Sequence, residues 1–286
     1  VVWFSDHAAN VPPAWPWTGF APAQTGSGDT DDAQHFRLIQ AAPFLAGHFP
    51  GRPILPGVAI IDAALIACRT AARNPHLRLC AISAARFLAT VLPGDELILR
   101  ASPAGAATWR IAASVGSVLC ARMVLHVTQA KPAPRRAPAL RARHIDVAAA
   151  DIALRLPQRP PMLMLEGATR LADGTWAVHG RPLMPEGAPR RRRMDYPKSL
   201  ICEGFFQAAG LALEAAIPDG AMLLLGSIGR AEFAAVPHAS EAVRHIVTSS
   251  RMIGDAAVVA GQTRTLDDAL VASYADVLVA LRNADA

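Results

Sequence analysis

The sequence predicts an α+β fold in which two long central helices are each wrapped by an antiparallel β-sheet, built as two copies of one unit. Three observations predict it. A loop with three Gly and three Pro, Gly47 to Gly57, runs into an apolar, Ala-rich stretch free of both residues. Four strand-like segments follow it. The start of the helix then recurs 141 residues on, with Pro56-Gly57-Val58-Ala59-Ile60-Ile61-Asp62 answered by Pro197-Lys198-Ser199-Leu200-Ile201-Cys202-Glu203.

Residues 1–34 form an N-terminal extension that holds Trp3, Trp15 and Trp17. Its aromatic part is expected to pack on the body, and Thr25 to Asp32 to be an exposed connection. The first unit, 35–130, opens with a short strand, Phe36 to Gln40, with His35 at its end and no role assigned to it. The rigid loop leads into a buried helix, Val58–Ala72, which starts just after Pro56. After Asn74-Pro75, strand character marks Leu79–Leu92, Glu96–Ala101, Trp109–Val115 and Ser117–Thr128, with turns at Pro93-Gly94-Asp95 and Ala104-Gly105. A Pro-, Ala- and Arg-rich linker, 131–150, separates the units. The second unit, 151–286, opens with Leu156-Pro157-Gln158-Arg159 and an apolar run to Leu165. It carries the second helix from Pro197 through Gly210, and Ala256–Gly261 with Leu270–Leu281 closes its sheet.

The loop also carries chemistry. His48 stands beside the start of a buried helix, where unbonded N–H groups, Gly57 first, can hold a carbonyl oxygen as it gains negative charge. His48-Phe49-Pro50-Gly51, a short spacer, Pro56-Gly57 and then Asp62 on the helix closely resemble the catalytic segment of the hot-dog-fold 3-hydroxyacyl-thioester dehydratases of fatty acid and polyketide synthesis. Leu156-Pro157-Gln158-Arg159 resembles their common opening, Leu-Pro-His-Arg, with Gln in the place of His. The resemblance covers roughly residues 35–286 and implies a fused double hot-dog.

In that family the site lies between two units, with His from one and a carboxylate from the other's central helix. The resemblance therefore pairs His48 with Glu203. It implies His48 as base, the Gly57 N–H as oxyanion donor, and Glu203 as acid or water-positioning group. Gln207, one helical turn beyond Glu203, with Gly51 and Pro56, would position the substrate. The reciprocal pair is broken. Eight residues before Pro197 stands Pro189 where a His would be needed, Lys198 replaces the Gly, and His179 lies eighteen residues before Pro197. Asp62 has no partner base.

Composition narrows the alternatives. With 52% apolar and 18% charged residues the chain has the makings of a large packed core, and disorder is excluded. A net charge of +5, much of it in Arg clusters, suits an acidic partner. Only 6% of residues are aromatic and no nucleic-acid motif is present, so an acyl carrier protein with its phosphopantetheine arm is preferred over nucleic acid. Arg190, Arg191, Arg192 and Arg193, in the loop that lost the second His, are the candidate docking site. Cys68, Cys80, Cys120 and Cys202 lack paired spacing and read as buried thiols of a reducing compartment. No apolar run reaches membrane-spanning length and no signal peptide is evident, so a cytoplasmic location is expected. Neither metal nor organic cofactor is expected, the substrate being carried on phosphopantetheine. A hot-dog thioesterase and a non-catalytic acyl-chain-binding synthase subunit are the competing readings.

Overall fold

The computed structural model describes residues 17, 19–23, 33–130, 145–173, 175–180, 197–218, 221–235, 237 and 241–283. In the first unit the strands are β1 (Phe20–Pro22), β2 (Gln34–Leu38), β3 (Arg78–Phe87), β4 (Glu96–Gly105), β5 (Thr108–Val115) and β6 (Val118–Thr128), with helix α1 (Gly57–Ala71) between β2 and β3. In the second they are β7 (Val147–Ala148), β8 (Leu165–Arg170), β9 (Trp176–Gly180), β10 (Ala221–Phe233), β11 (Val243–Ile253), β12 (Ala256–Thr265) and β13 (Leu270–Asn283). Helix α2 (Ala149–Arg155) follows β7, and α3 (Lys198–Leu213) lies between β9 and β10.

The strands form one thirteen-stranded sheet, ordered β1-β2-β4-β5-β6-β3-β10-β13-β12-β11-β9-β8-β7. Neighbouring strands pair antiparallel, and the two units meet where β3 pairs with β10, from Ser227 opposite Arg86 to Glu232 opposite Ala81. The expectation of a separate sheet around each helix is replaced by one continuous sheet, because each unit's seam strand satisfies its open backbone groups on the other's.

Helix α1 packs on β3, β4 and β5, α3 packs on strands of the second unit, and the two helices touch each other. One apolar core spans both units, from Phe36, Ile61 and Leu97 to Phe205, Val259 and Val277. At about 1.5–3 kcal/mol per fully buried large side chain, such a core dominates the fold's stability.

Several expected boundaries move. The strand expected over Leu79–Leu92 stops at Phe87. It is bulged around Ala84 (φ 51°), and Leu88 and Ala89 then donate to the carbonyl of Cys120. The second unit begins before residue 151. Its short β7 pairs with β8, and the Ala-rich run read as linker starts α2, which buries Ile152. The apolar run Met162–Leu165 becomes strand only at Leu165, after a turn through Pro160-Pro161. The extension contributes an edge strand, β1, and a fully buried Trp17. Trp3, Trp15, residues 131–144 and Arg190–Arg193 lie outside the described residues.

Candidate active site

The catalytic-type loop is set by a 3-10 turn, Pro43–Ala46, whose Phe44 and Leu45 are buried. The His48 N–H donates back to the carbonyls of Phe44 and Leu45, each at 3.2 Å. Phe49 (φ 55°) and Gly51 (φ 87°) then turn the chain through left-handed conformations. That is routine for Gly and costly for Phe, so the surrounding packing must hold it. The Phe49 ring meets the imidazole edge-on at 4.6 Å.

His48 is 5% exposed, and its Nδ1 lies 2.8 Å from the carbonyl oxygen of Ile54. A carbonyl can only accept, so the neutral ring carries its proton on Nδ1 and keeps the lone pair of Nε2 for a substrate proton. Burial pulls the imidazole down to about 4, partly offset by the Ile54 bond, so it is uncharged at neutral pH.

Glu203 comes from the other unit. Glu203, Gln207 and Gly210 lie on one face of α3, and with His48 and Gly57 they line one cavity of about 540 Å³. Gln207 Nε2 donates to Glu203 Oε1 (2.8 Å) and to the Met162 carbonyl (2.7 Å), while its Oε1 accepts from the Met164 N–H (3.0 Å). The two backbone bonds fix the Gln207 amide, and the amide in turn fixes the carboxyl's direction. Burial raises Glu203 to about 7, against the opposing effect of the Gln207 bond. The cavity therefore brings together a neutral base and a carboxyl that keeps its proton close to neutrality.

Gly57 is the first residue of α1, where the backbone N–H has no helical acceptor. A Cβ added there would lie 3.1 Å from the Phe87 ring and 3.4 Å from Leu225, so the site is tight around this N–H. Pro56 caps the helix and Gly51 shapes the loop. Neither is among the cavity-lining residues.

The reciprocal half is occupied by protein. Asp62 Oδ2 accepts from Trp17 Nε1 (2.8 Å) and from Ser199 Oγ (2.5 Å), and Asp62 is not among the residues lining the cavity. Burial lifts its carboxyl to about 6, and the Ser199 and Trp17 bonds pull the other way. Lys198, in the place of Gly57, donates to the Leu79 carbonyl and lies 5.2 Å over the Phe233 ring. His179 bonds Thr169 across β8 and β9 (3.0 Å). Asp62→Asn is expected to leave dehydration within a few-fold of wild type and to hold or raise stability above about pH 6, because its amide oxygen still accepts from Trp17 and Ser199 while the buried charge is gone. Thermal melts beside a turnover assay check this, and a turnover loss with an unchanged melt would contradict it.

Elsewhere, His35 Nδ1 meets Glu96 Oε1 at 3.2 Å on the surface. The four cysteines are free thiols, and burial pushes Cys202 well above its ordinary range, which makes it a poor nucleophile. Among the described residues there is no metal-type cluster, and no helix is long and apolar enough to cross a membrane.

Sequence reasoning missed how tightly the second unit's opening grips the first unit's loop. Arg159 N–H donates to the Gly47 carbonyl (2.9 Å), and Leu156, Pro157 and Gln158 line the cavity. The signal was present in the Leu156–Arg159 opening, but nothing in it says which loop it will meet.

Residues 27–121 match the family model described as ApeI-like, the ApeI dehydratase. The 3-hydroxyacyl-(acyl-carrier-protein) dehydratase FabZ of Ehrlichia chaffeensis is 46% identical over 61 residues, covering 20% of this chain and 43% of the relative. FabZ of Photorhabdus laumondii is 38% identical over 83 residues, covering 25% and 55%. The chain spans about half the length of the curated relatives it matches. Among solved structures, the dehydratase domain of RzxB from Pseudomonas fluorescens aligns with a TM-score of 0.64 at 14% identity, covering 86% of this chain and 93% of that one. The dehydratase domain of PpsC from Mycobacterium tuberculosis, in complex with C12:1-CoA, aligns at 0.60 and 14%, covering 93% and 100%. At such identities the likeness establishes a shared fold across both units, with a large antiparallel sheet and few helices.

Proposed function

We propose that this double hot-dog chain removes water from 3-hydroxyacyl thioesters carried on an acyl carrier protein, giving trans-2-enoyl thioesters in fatty acid or polyketide synthesis. The observation that carries the reading is the shared cavity lined by His48 from one unit and Glu203 from the other. In the proposed reaction His48 Nε2 takes the C2 proton, and the Gly57 N–H steadies the thioester oxygen as negative charge builds. The C2–H electron pair becomes the C2–C3 double bond. The C3–O bond breaks as Glu203 gives its proton to the departing hydroxyl, which leaves as water. Each proton transfer of this kind is worth roughly a hundred- to ten-thousand-fold. Water is eliminated with no net oxidation or reduction, so the reading needs no cofactor beyond the pantetheine that carries the substrate. A carrier-protein partner places the enzyme in the cytoplasm in this reading.

Incubation with a 3-hydroxyacyl-pantetheine tests it. Enoyl product supports the reading, free acid would make the protein a thioesterase, and binding without either would make it an acyl-chain-binding subunit. The neutral-base, protonated-acid pair also predicts a bell in kcat/KM. Activity should rise as His48 loses its proton near pH 4 and fall as Glu203 loses its proton near pH 7. A flat profile from pH 5 to 9 would remove Glu203 as the acid.

The cationic run Arg190–Arg193 is the proposed docking segment for the acidic carrier. Replacing all four with Ser should raise KM for carrier-borne substrate, more at low salt, because exposed charges are screened over about 8 Å at physiological ionic strength. KM for a phosphate-free pantetheine analogue should barely change. Equal responses would exclude docking by this loop.

A further inference from the structure

Gln158 stands where the resembling enzymes commonly have His, and nothing in the mechanism so far uses it. It is 9% exposed and lines the cavity shared by His48 and Glu203. Its Oε1 is buried without a hydrogen-bond partner. A buried amide oxygen normally has a donor, and leaving it without one is costly, so an orphan on a cavity-lining side chain marks a place where an incoming molecule can supply the donor.

The backbone around it is locked from both sides. Arg159 N–H bonds the Gly47 carbonyl next to His48, and the Arg159 guanidinium donates to the carbonyls of Gln158 (2.8 Å) and Leu156 (2.5 Å). A few residues on, Met162 and Met164 hold Gln207, which in turn holds Glu203. The segment bearing Gln158 is thus tied at one end to the base and at the other to the acid.

We propose that Gln158 is a further substrate-positioning residue, whose amide oxygen accepts the O–H of the substrate's 3-hydroxyl and holds it for departure. This rests on the dehydratase reading above. Among the reacting groups of a 3-hydroxyacyl thioester, the 3-hydroxyl is the donor. His48 Nε2 is an acceptor aimed at C2, and the Gly57 N–H is a donor aimed at the thioester oxygen. The balance is simple. The hydroxyl keeps its own hydrogen, held by Gln158, receives a second from Glu203 as the C3–O bond breaks, and leaves as water still bonded to the amide. Gln158 itself gains and loses nothing. It fixes the lone pair of the hydroxyl toward the acid, and it selects substrates that carry the hydroxyl over saturated ones.

The test uses the whole 286-residue chain and Gln158→Met, which keeps length and volume and removes the acceptor. Two measurements are paired: kcat/KM for 3-hydroxybutyryl-pantetheine, and the binding constants of unreactive butyryl-pantetheine and of its 3-hydroxy counterpart in a non-hydrolysable thioether form. The expected result is a fall in kcat/KM of about 10- to 100-fold, loss of the preference for the hydroxylated ligand, and unchanged or tighter binding of the saturated one. The melting temperature should hold or rise, since an orphan acceptor has been removed. Gln158→His, which retains an acceptor nitrogen, should recover part of the preference. Equal loss of affinity for both ligands, or a lowered melting temperature, would make Gln158 structural. An unchanged preference would remove it from the hydroxyl site. If the wild-type protein binds the hydroxylated thioether selectively but forms no enoyl product, the dehydratase reading fails, and loss of that selectivity in Gln158→Met would still place Gln158 at the hydroxyl.

Discussion

Glu203→Gln is expected to lower the rate of dehydration by a hundred- to ten-thousand-fold while making the protein more stable at alkaline pH. The rate loss follows because an amide in the same place has no acidic proton to give the leaving hydroxyl. The stability gain follows from the carboxyl's burial. Its proton is held up to about 7 in the fold against an ordinary 4.5. With the folded value raised, the protonated carboxyl's contribution is fully present below pH 4.5 and is lost as pH rises through about 7. Above that, the fold carries a buried charge that costs about 3 kcal/mol relative to a group that never ionises. Gln preserves the bond from Gln207 Nε2, because its own Oε1 still accepts. Melts of the two proteins should therefore coincide near pH 4.5 and separate by pH 8, with the inactive variant higher. A constant difference across pH would mean that Glu203 is not a strained buried acid, and retained activity would remove it from the reaction.

Gly47→Ala should disable the site from the other side. A Cβ at residue 47 would lie 2.1 Å from the Arg159 carbonyl oxygen, 2.7 Å from the Met162 nitrogen and 2.9 Å from the Pro160 carbonyl carbon. All three are backbone atoms, so no rotamer change relieves the contact and the two units must separate there. Overpacking of this kind costs about 1–3 kcal/mol. Any shift also displaces His48, the next residue, from the Glu203 unit, so activity should fall more than stability does. Paired melts and turnover assays check this. A variant with wild-type values in both would show that the loop and the second unit's opening are not in close contact.

The two cases differ in how far the sequence reaches. Glu203 was legible because helix spacing is local: the acid lies six residues after a Pro in both copies, and i,i+4 geometry places Gln207 beside it. Gly57 at a helix start was legible for the same reason, and so was the difference between the copies, since Pro189 and Lys198 stand where the first copy has His48 and Gly57. The contact at Gly47 was not legible. It joins residues more than a hundred positions apart, and nothing in either segment names the other.

The sequence by itself determined the two-unit plan, the loop that makes His48 available, and the asymmetry between Glu203 and Asp62, because each rests on residue identity at short spacing. Tertiary structure alone decided four things. The two sheets became one through the β3–β10 seam. Trp17 and Ser199 took over Asp62. Leu88–Val91 left the strand to line the cavity. Gln158, which lines that cavity, was left with an unpaired oxygen. Each depends on which distant surfaces meet, and burial, which sets the charge states of His48 and Glu203, exists only after they have met.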